Sequence, residues 1–306
     1  MSGSDRARGV LLGLALGDAL GAPFEGRSQV TGAQVAAWID AREPLRWTDD
    51  THMALTLARH LVDDPGLDDP EAMGVAFARA YAREPWRGYG SGPPQVFAMV
   101  EQGLGFEEAA GTLFGGSGSF GNGAAMRVAP VGLLPAATDP REAARLAAAQ
   151  ARVTHTHPDA IDGATVVAGV IAGLIDRDRV DENAIVRVVS AVNGWLSPGP
   201  VRDRLTDVLD VVGSGGAAAM AASRCGTGVA AAESVPAAIA ALLGGGDPLW
   251  VVTTAIGFGG DTDTIAAMAG AMASAARGLE HLPDALLDRL EARADLEQLA
   301  QTLSCR

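Results

Sequence analysis

Gly259-Gly260-Asp261-Thr262-Asp263-Thr264-Ile265-Ala266-Ala267-Met268-Ala269-Gly270 decides the reading of this chain. Two glycines, two carboxylates and two hydroxyls run directly into small apolar residues. That order reads as a tight turn feeding the first turn of a buried helix. One aspartate there would cap free N–H groups and suit the helix dipole. A second, two residues on, exceeds that need, and a hard cation held by oxygen ligands would account for it. Thr48-Asp49-Asp50-Thr51 carries the same chemistry far upstream. It precedes Met53, Leu57, Leu61 and Ala54, Ala58, Val62, whose four-residue spacing marks helix faces. Both acidic motifs therefore open helices.

If they meet, their charges demand compensation. Each close carboxylate pair costs ~4 kcal/mol at 4 Å and an effective dielectric of 20. A few such pairs would consume the ~5–15 kcal/mol by which a fold is stable. Convergence requires protons or cations.

The same periodicities recur outward from these motifs. Residues 6–21 read as a helix with Gly9, Gly13 and Gly17 on a small-residue face. Asp69-Pro70, Asp139-Pro140 and Asp247-Pro248 read as N-caps followed by proline at the first helical position, opening helices over 70–83, 140–152 and 248–256. Further helices are expected at 94–102, 159–175, 181–193, 201–212, 234–243 and 284–303. No period-2 alternation marks a strand, and glycines mark loops at 88–92, 115–123, 213–216 and 244–246. No interdomain linker or internal repeat is evident. The expectation is one all-α, compact multi-helix domain over residues 1–306.

Composition narrows the function. The formal charge of −14 argues against nucleic acid or an anionic membrane as a main partner. Cys225 and Cys305 make neither a disulfide framework nor a metal-ligand spacing, which favours a reducing, cytoplasmic setting. The apolar run Val10 to Leu16 is read as a buried helix rather than a signal peptide, because Asp18 closes it. No membrane span is expected, and a monomer is.

Gly116-Ser117-Gly118-Ser119-Phe120-Gly121 fits G-x-G-x-x-G but lacks the strand a dinucleotide fingerprint needs. A glycine-rich loop tied to the core can still offer N–H groups to phosphate. His155 and His157, two residues apart, are poorly spaced as a zinc pair on a helix.

Taken together, Gly17-Asp18-Ala19-Leu20-Gly21 with Glu25, Thr48 to Thr51, Gly121 to Arg127, Thr154-His155, Gly226 to Pro236 and Gly260 to Thr264 resemble the ADP-ribosylglycohydrolases. The motifs fall in that family's order across most of the chain. The resemblance implies an all-α fold around a central binuclear site holding two Mg2+, with Mn2+ as an alternative. By position it makes Thr48, Asp49, Asp50, Asp261, Asp263 and Thr264 metal ligands. It makes Glu25 the catalytic or metal-gating carboxylate, with Asp49 and Asp50 as further catalytic candidates. Ser117, Gly118, Ser119, Phe120, Gly121, Asn122 and Gly123 would hold the substrate's diphosphate and ribose, and His155 and Val229 would contact it. The implied reaction is magnesium-dependent hydrolysis of the glycosidic bond between ADP-ribose and a modified protein side chain or small acceptor. Two rivals stand beside it: a module that binds ADP-ribose without cleaving it, and a metal-dependent hydrolase of another N-glycoside.

Overall fold

A computed structural model describes residues 3–177 and 180–305 of the chain. Its helices run α1 (Gly3–Gly21), α2 (Gly32–Asp40), α3 (Asp49–Asp63), α4 (Pro70–Arg83), α5 (Gly92–Glu101) and α6 (Phe106–Gly116). A single turn, α7 (Gly123–Met126), leads to α8 (Pro140–Arg152), α9 (Pro158–Ile175), α10 (Glu182–Asn193), α11 (Pro200–Gly213) and α12 (Ala218–Cys225). The chain closes with α13 (Ala231–Leu243), α14 (Pro248–Gly257), α15 (Thr262–Arg277), α16 (Asp284–Leu287) and α17 (Arg293–Ser304). Among the described residues there is no strand, only isolated bridges at Leu45–Leu290 and Gly121–Ala230.

The molecule is built on the contact between α1 and α15. Every residue of α15 from Thr262 to Ala276 is buried. Its partner α1 presents glycines because nothing larger fits. A β-carbon on Gly17 would lie 2.1 Å from the Ala266 carbonyl oxygen, and one on Gly13 would lie 2.5 Å from that of Gly270. Gly270 answers in kind, its β-position only 2.3 Å from the Gly13 oxygen. This backbone-to-backbone approach puts Asp18 on α1 and the acidic start of α15 in the same interior region.

The three Asp-Pro helix starts form as expected. Asp69 accepts from the Ala72 N–H, Asp139 from Arg141 and Asp247 from Trp250. Short helices α2, α6 and α12 were not anticipated. The expected single helix over 284–303 is instead two. Between them the Leu45 N–H donates to the Arg289 carbonyl and the Glu291 N–H donates to the Leu45 carbonyl, both at 3.0 Å. Ala292 then adopts φ 56°, which ends any continuous helix.

Two stretches, Asp5–Phe24 and Pro158–Ile175, are long and apolar enough to cross a membrane by length and composition. The sequence reading had found no apolar run of that length. Both are mostly buried within the fold, where α1 meets α15 and α9 meets α8 and α13.

Candidate functional site

Asp18 organises the first acidic motif. It is fully buried on α1. Its carboxylate accepts the Thr48 N–H on both oxygens, at 2.9 and 3.0 Å, and the Thr51 N–H at 3.0 Å. The Thr51 hydroxyl donates to it at 2.6 Å. These bonds fix the start of α3, where the Thr48 side chain caps the Asp50 N–H. The Asp49 N–H donates to the Arg87 carbonyl at 2.8 Å. Asp49 and Asp50 are thereby left with their carboxylates free of capping duty.

The second motif is held by backbone. Gly259 and Gly260 adopt φ of 74° and 78°, a conformation that favours glycine. The Gly26 N–H donates to the Gly260 carbonyl and the Gly260 N–H to the Arg27 carbonyl, each at 2.8 Å. This pairing brings the Glu25 turn against the start of α15. Carboxylate oxygens of Glu25, Asp261 and Asp263 all lie within 4.8 Å of one another. Asp261 makes no capping bond to the helix it precedes. Its carboxylate instead accepts the Asn122 amide at 2.6 Å. The capping explanation for this aspartate therefore fails.

The two motifs meet. The Thr264 hydroxyl donates to Asp50 Oδ1 at 3.3 Å across 214 residues of chain. Asp50 Oδ2 is buried and has no hydrogen-bond partner. Asp18, Glu25, Asp49, Asp50, Asp261 and Asp263 thus share one locality.

Their electrostatics show the strain. Burial first, then the charges of Asp18, Asp261 and Glu25, push the Asp49 carboxyl up to about 8. Burial and the charges of Asp261, Asp18 and Glu25 push Asp263 up to about 9. Asp50 is raised well above the ordinary range by burial and by Asp18, Asp263, Asp49 and Asp261. Asp18 rises only to about 6, because the Thr48 and Thr51 bonds oppose its burial. Glu25 is exposed, and is raised by partial burial and by Asp261. Without a cation, such a cluster must hold protons.

The glycine-rich loop lies alongside. The Asn122 N–H donates to the Val229 carbonyl at 2.9 Å, and the Ala231 N–H to the Phe120 carbonyl at 3.0 Å. Asn122 ties the loop to the acids and accepts no water-facing role, being buried and bonded also to Ser234. The Ser119 hydroxyl accepts from the Gly121 N–H at 3.3 Å, and Ser117 donates to the Phe114 carbonyl. Gly118 adopts φ 73°. His155 is buried beneath the loop and bonded to Thr154 Oγ1 at 2.7 Å. A β-carbon on Gly123 would lie 2.8 Å from its ring, which explains the glycine. Burial and Arg127 lower His155 to about 3, so its imidazole is neutral at ordinary pH. Phe114, Phe120 and Val229 are exposed, with the two phenyl rings 5.3 Å apart and His157 5.9 Å beyond Phe120.

The ADP-ribosylglycohydrolase family model matches residues 2–305. The chain belongs to the ADP-ribosylglycohydrolase family. It is 31% identical to ADP-ribosylhydrolase ARH3 of Mus musculus, over 97% of this chain and 90% of that one. Against ADP-ribosylhydrolase ARH3 of Homo sapiens it is 30% identical, over 97% and 92%. A solved structure described as an ADP-ribosylglycohydrolase-related protein complex superposes with a TM-score of 0.77 at 28% identity, covering 99% of this chain and 98% of that one. The all-α expectation is therefore the ADP-ribosylglycohydrolase fold itself.

Within this ADP-ribosylglycohydrolase, some site residues carried no assigned role in the sequence reading. Asp18 is the foremost. An aspartate in an otherwise apolar helix was the available signal. Arg127 is another: it is fully buried, bonded to Gln150 at 2.7 Å through two nitrogens and stacked 4.4 Å from the Phe77 ring centre. Burial lowers it to about 9, while Tyr89 and Asp49 raise it.

Proposed function

We propose that this chain hydrolyses the glycosidic bond between ADP-ribose and a modified protein side chain or small acceptor, using two magnesium ions. The observation that carries the reading is the buried, unpartnered Asp50 oxygen within six converging carboxylates, beside a glycine loop flanked by exposed aromatic rings. The donor set fits a hard divalent cation. It is all oxygen, anionic, and destabilised until its charge is offset. Thr48, Asp49, Asp50, Asp261, Asp263 and Thr264 would hold the ions, Mn2+ serving as an alternative. Bound there, they would supply charge neutralisation for an anionic substrate and polarisation of oxygen.

The chain's own residues then have distinct tasks. Residues 117–123 are assigned to the diphosphate, through main-chain N–H groups other than those of Ser117, Gly118, Gly121 and Asn122, which are already bonded within the protein. Phe114 and Phe120 offer a surface on which a purine can stack. His155 is neutral and supports the loop from below, with Val229 on its outer edge. Asn122 couples that loop to Asp261, so substrate held by the loop is held in register with the acids.

Cleavage at an anomeric carbon passes through an oxocarbenium-like state, which the adjacent carboxylates favour. Proton transfer is assigned to Glu25. Its carboxyl keeps a proton to higher pH than a free glutamate does, and its exposure lets it reach a leaving group. A module that only binds ADP-ribose has no use for such a residue. Incubation with arginine-linked, serine-linked and O-acetyl ADP-ribose substrates tests the assignment. Release of free ADP-ribose from at least one supports it, and tight binding with no release from any would convert the protein to a reader.

A further inference from the structure

The stretch Gly226 to Pro236 is one of the motifs that carry the family resemblance, yet only Val229 within it has a task so far. Its first residues lie between the two halves of the site. The Asp261 N–H donates to the Thr227 carbonyl at 2.8 Å, and the Asn122 N–H donates to the Val229 carbonyl at 2.9 Å. Asn122 and Asp261 are themselves joined, side chain to side chain, at 2.6 Å. The circuit Thr227, Asp261, Asn122, Val229 therefore closes on itself. Gly228 is the one residue between its two carbonyls. The fit is close, since a β-carbon on Gly260 would lie 2.1 Å from the Thr227 oxygen.

Glu233, in the first turn of α13, reaches back into this circuit. Its Oε2 accepts the Gly228 N–H at 3.1 Å. That N–H belongs to the same planar peptide unit as the Thr227 carbonyl, so fixing one fixes the direction of the other. Glycines on both sides make room for the carboxylate. A β-carbon on Gly228 would lie 2.6 Å from Oε2, and one on Gly226 would lie 2.9 Å from the carboxyl carbon. An acid in a first turn suits the helix dipole wherever its side chain rests. This one is bonded to the peptide that receives Asp261.

We propose that Glu233 is a positioning residue: through the Thr227–Gly228 peptide it holds Asp261 and the glycine loop in one register. It acts on the reaction only through those residues. The inference rests on the hydrolase function proposed above, and adds that the acidic cluster and the ADP-ribose loop depend together on a carboxylate belonging to neither.

Two substitutions separate reach from charge. Glu233→Asp keeps the charge but shortens the side chain by a methylene, which takes the carboxylate away from the Gly228 N–H. Glu233→Gln keeps an oxygen at the same reach and removes the charge. Calorimetric titration measures Mg2+ binding to each protein, and ADP-ribose binding in saturating Mg2+. Glu233→Asp should weaken both by roughly tenfold, the low end of the cost of losing an outer partner of a metal ligand. Glu233→Gln should stay within about threefold of wild type, a neutral acceptor making a weaker bond than a charged one. Gly228→Ala, which drives a methyl group against Oε2 and leaves Glu233 in place, should match Glu233→Asp.

A lowered Tm in Glu233→Asp with both affinities unchanged would reduce Glu233 to a structural residue and overturn the inference. Full affinity in Gly228→Ala would do the same, and it decides the matter should Glu233→Asp not fold. An impaired Glu233→Gln beside a normal Glu233→Asp would also overturn it, marking a charge at a helix start instead. All of these leave the hydrolase function standing. Wild-type protein that fails to bind ADP-ribose in saturating Mg2+ would remove that function, and this inference with it.

Discussion

Replacing Asp18 by alanine asks whether one buried carboxylate on α1 holds the acidic first turn of α3. Alanine removes the acceptor for the Thr48 N–H, the Thr51 N–H and the Thr51 hydroxyl. Thr48 is only half-buried, so water can replace that bond; Thr51 is fully buried and has no such recourse. Two stranded donors at ~1–3 kcal/mol each give a loss of ~2–6 kcal/mol. Relief of repulsion acts the other way, since Asp18 raises both Asp49 and Asp50. At pH 6 in chelator Asp49, pushed up to about 8, holds its proton, and Asp50 is shifted in the same direction, so the relief is small. A net loss of ~3 kcal/mol is expected. With ~2.1 cal/mol/K of unfolding entropy per residue over 306 residues, that lowers Tm by roughly 5 °C. Scanning calorimetry at pH 6 measures it directly. Asp18→Asn retains one oxygen acceptor and should lose less than half as much. A Tm for Asp18→Ala within ~1 °C of wild type would refute the argument that buried donors depend on this carboxylate.

Other outcomes follow from the same geometry. Glu25→Gln should lower turnover by ~10²–10⁴-fold while ADP-ribose binds within a few-fold of wild type; near-normal turnover in saturating metal would move proton transfer to another residue, Asp49 or Asp50 first. Gly123→Val drives a side chain into the His155 ring, and calorimetric titration should show ADP-ribose affinity reduced by at least ~10-fold, an unchanged value excluding the loop as the diphosphate cradle. The raised carboxyls of Asp49, Asp50 and Asp263 make the metal-free fold bind more protons than the unfolded chain above pH ~4. Its Tm should therefore fall as pH climbs from the ordinary carboxylate range toward about 9, and divalent metal should flatten that fall; a metal-free Tm that rises over this interval would contradict the cluster.

Much of this was legible in sequence because its causes are local. Asp-Pro pairs announce helix starts, glycines four apart announce a close helix contact, and a surplus of acids at two helix openings announces a shared site. What sequence did not show depends on distant pairing. The break between α16 and α17 is made by Leu45, more than two hundred residues away, and local periodicity ran straight through it. The helices α2, α6 and α12 are short, and tertiary packing decides such segments. Asp18 looked like the end of an apolar run because its partners, Thr48 and Thr51, lie on another helix. Asp261 taken alone would read as a cap, and the Asn122 bond that rules this out spans 139 residues. The geometry also shows which carboxylates Glu25 joins, Asp261 and Asp263, which spacing in the chain does not specify.

We propose that these carboxylates hold divalent cations for ADP-ribose cleavage. The most direct test is release of free ADP-ribose from a modified peptide by the metal-free protein, before and after magnesium is restored. The account predicts no release in chelator and recovery with millimolar Mg2+ or Mn2+. Undiminished release in chelator would contradict it.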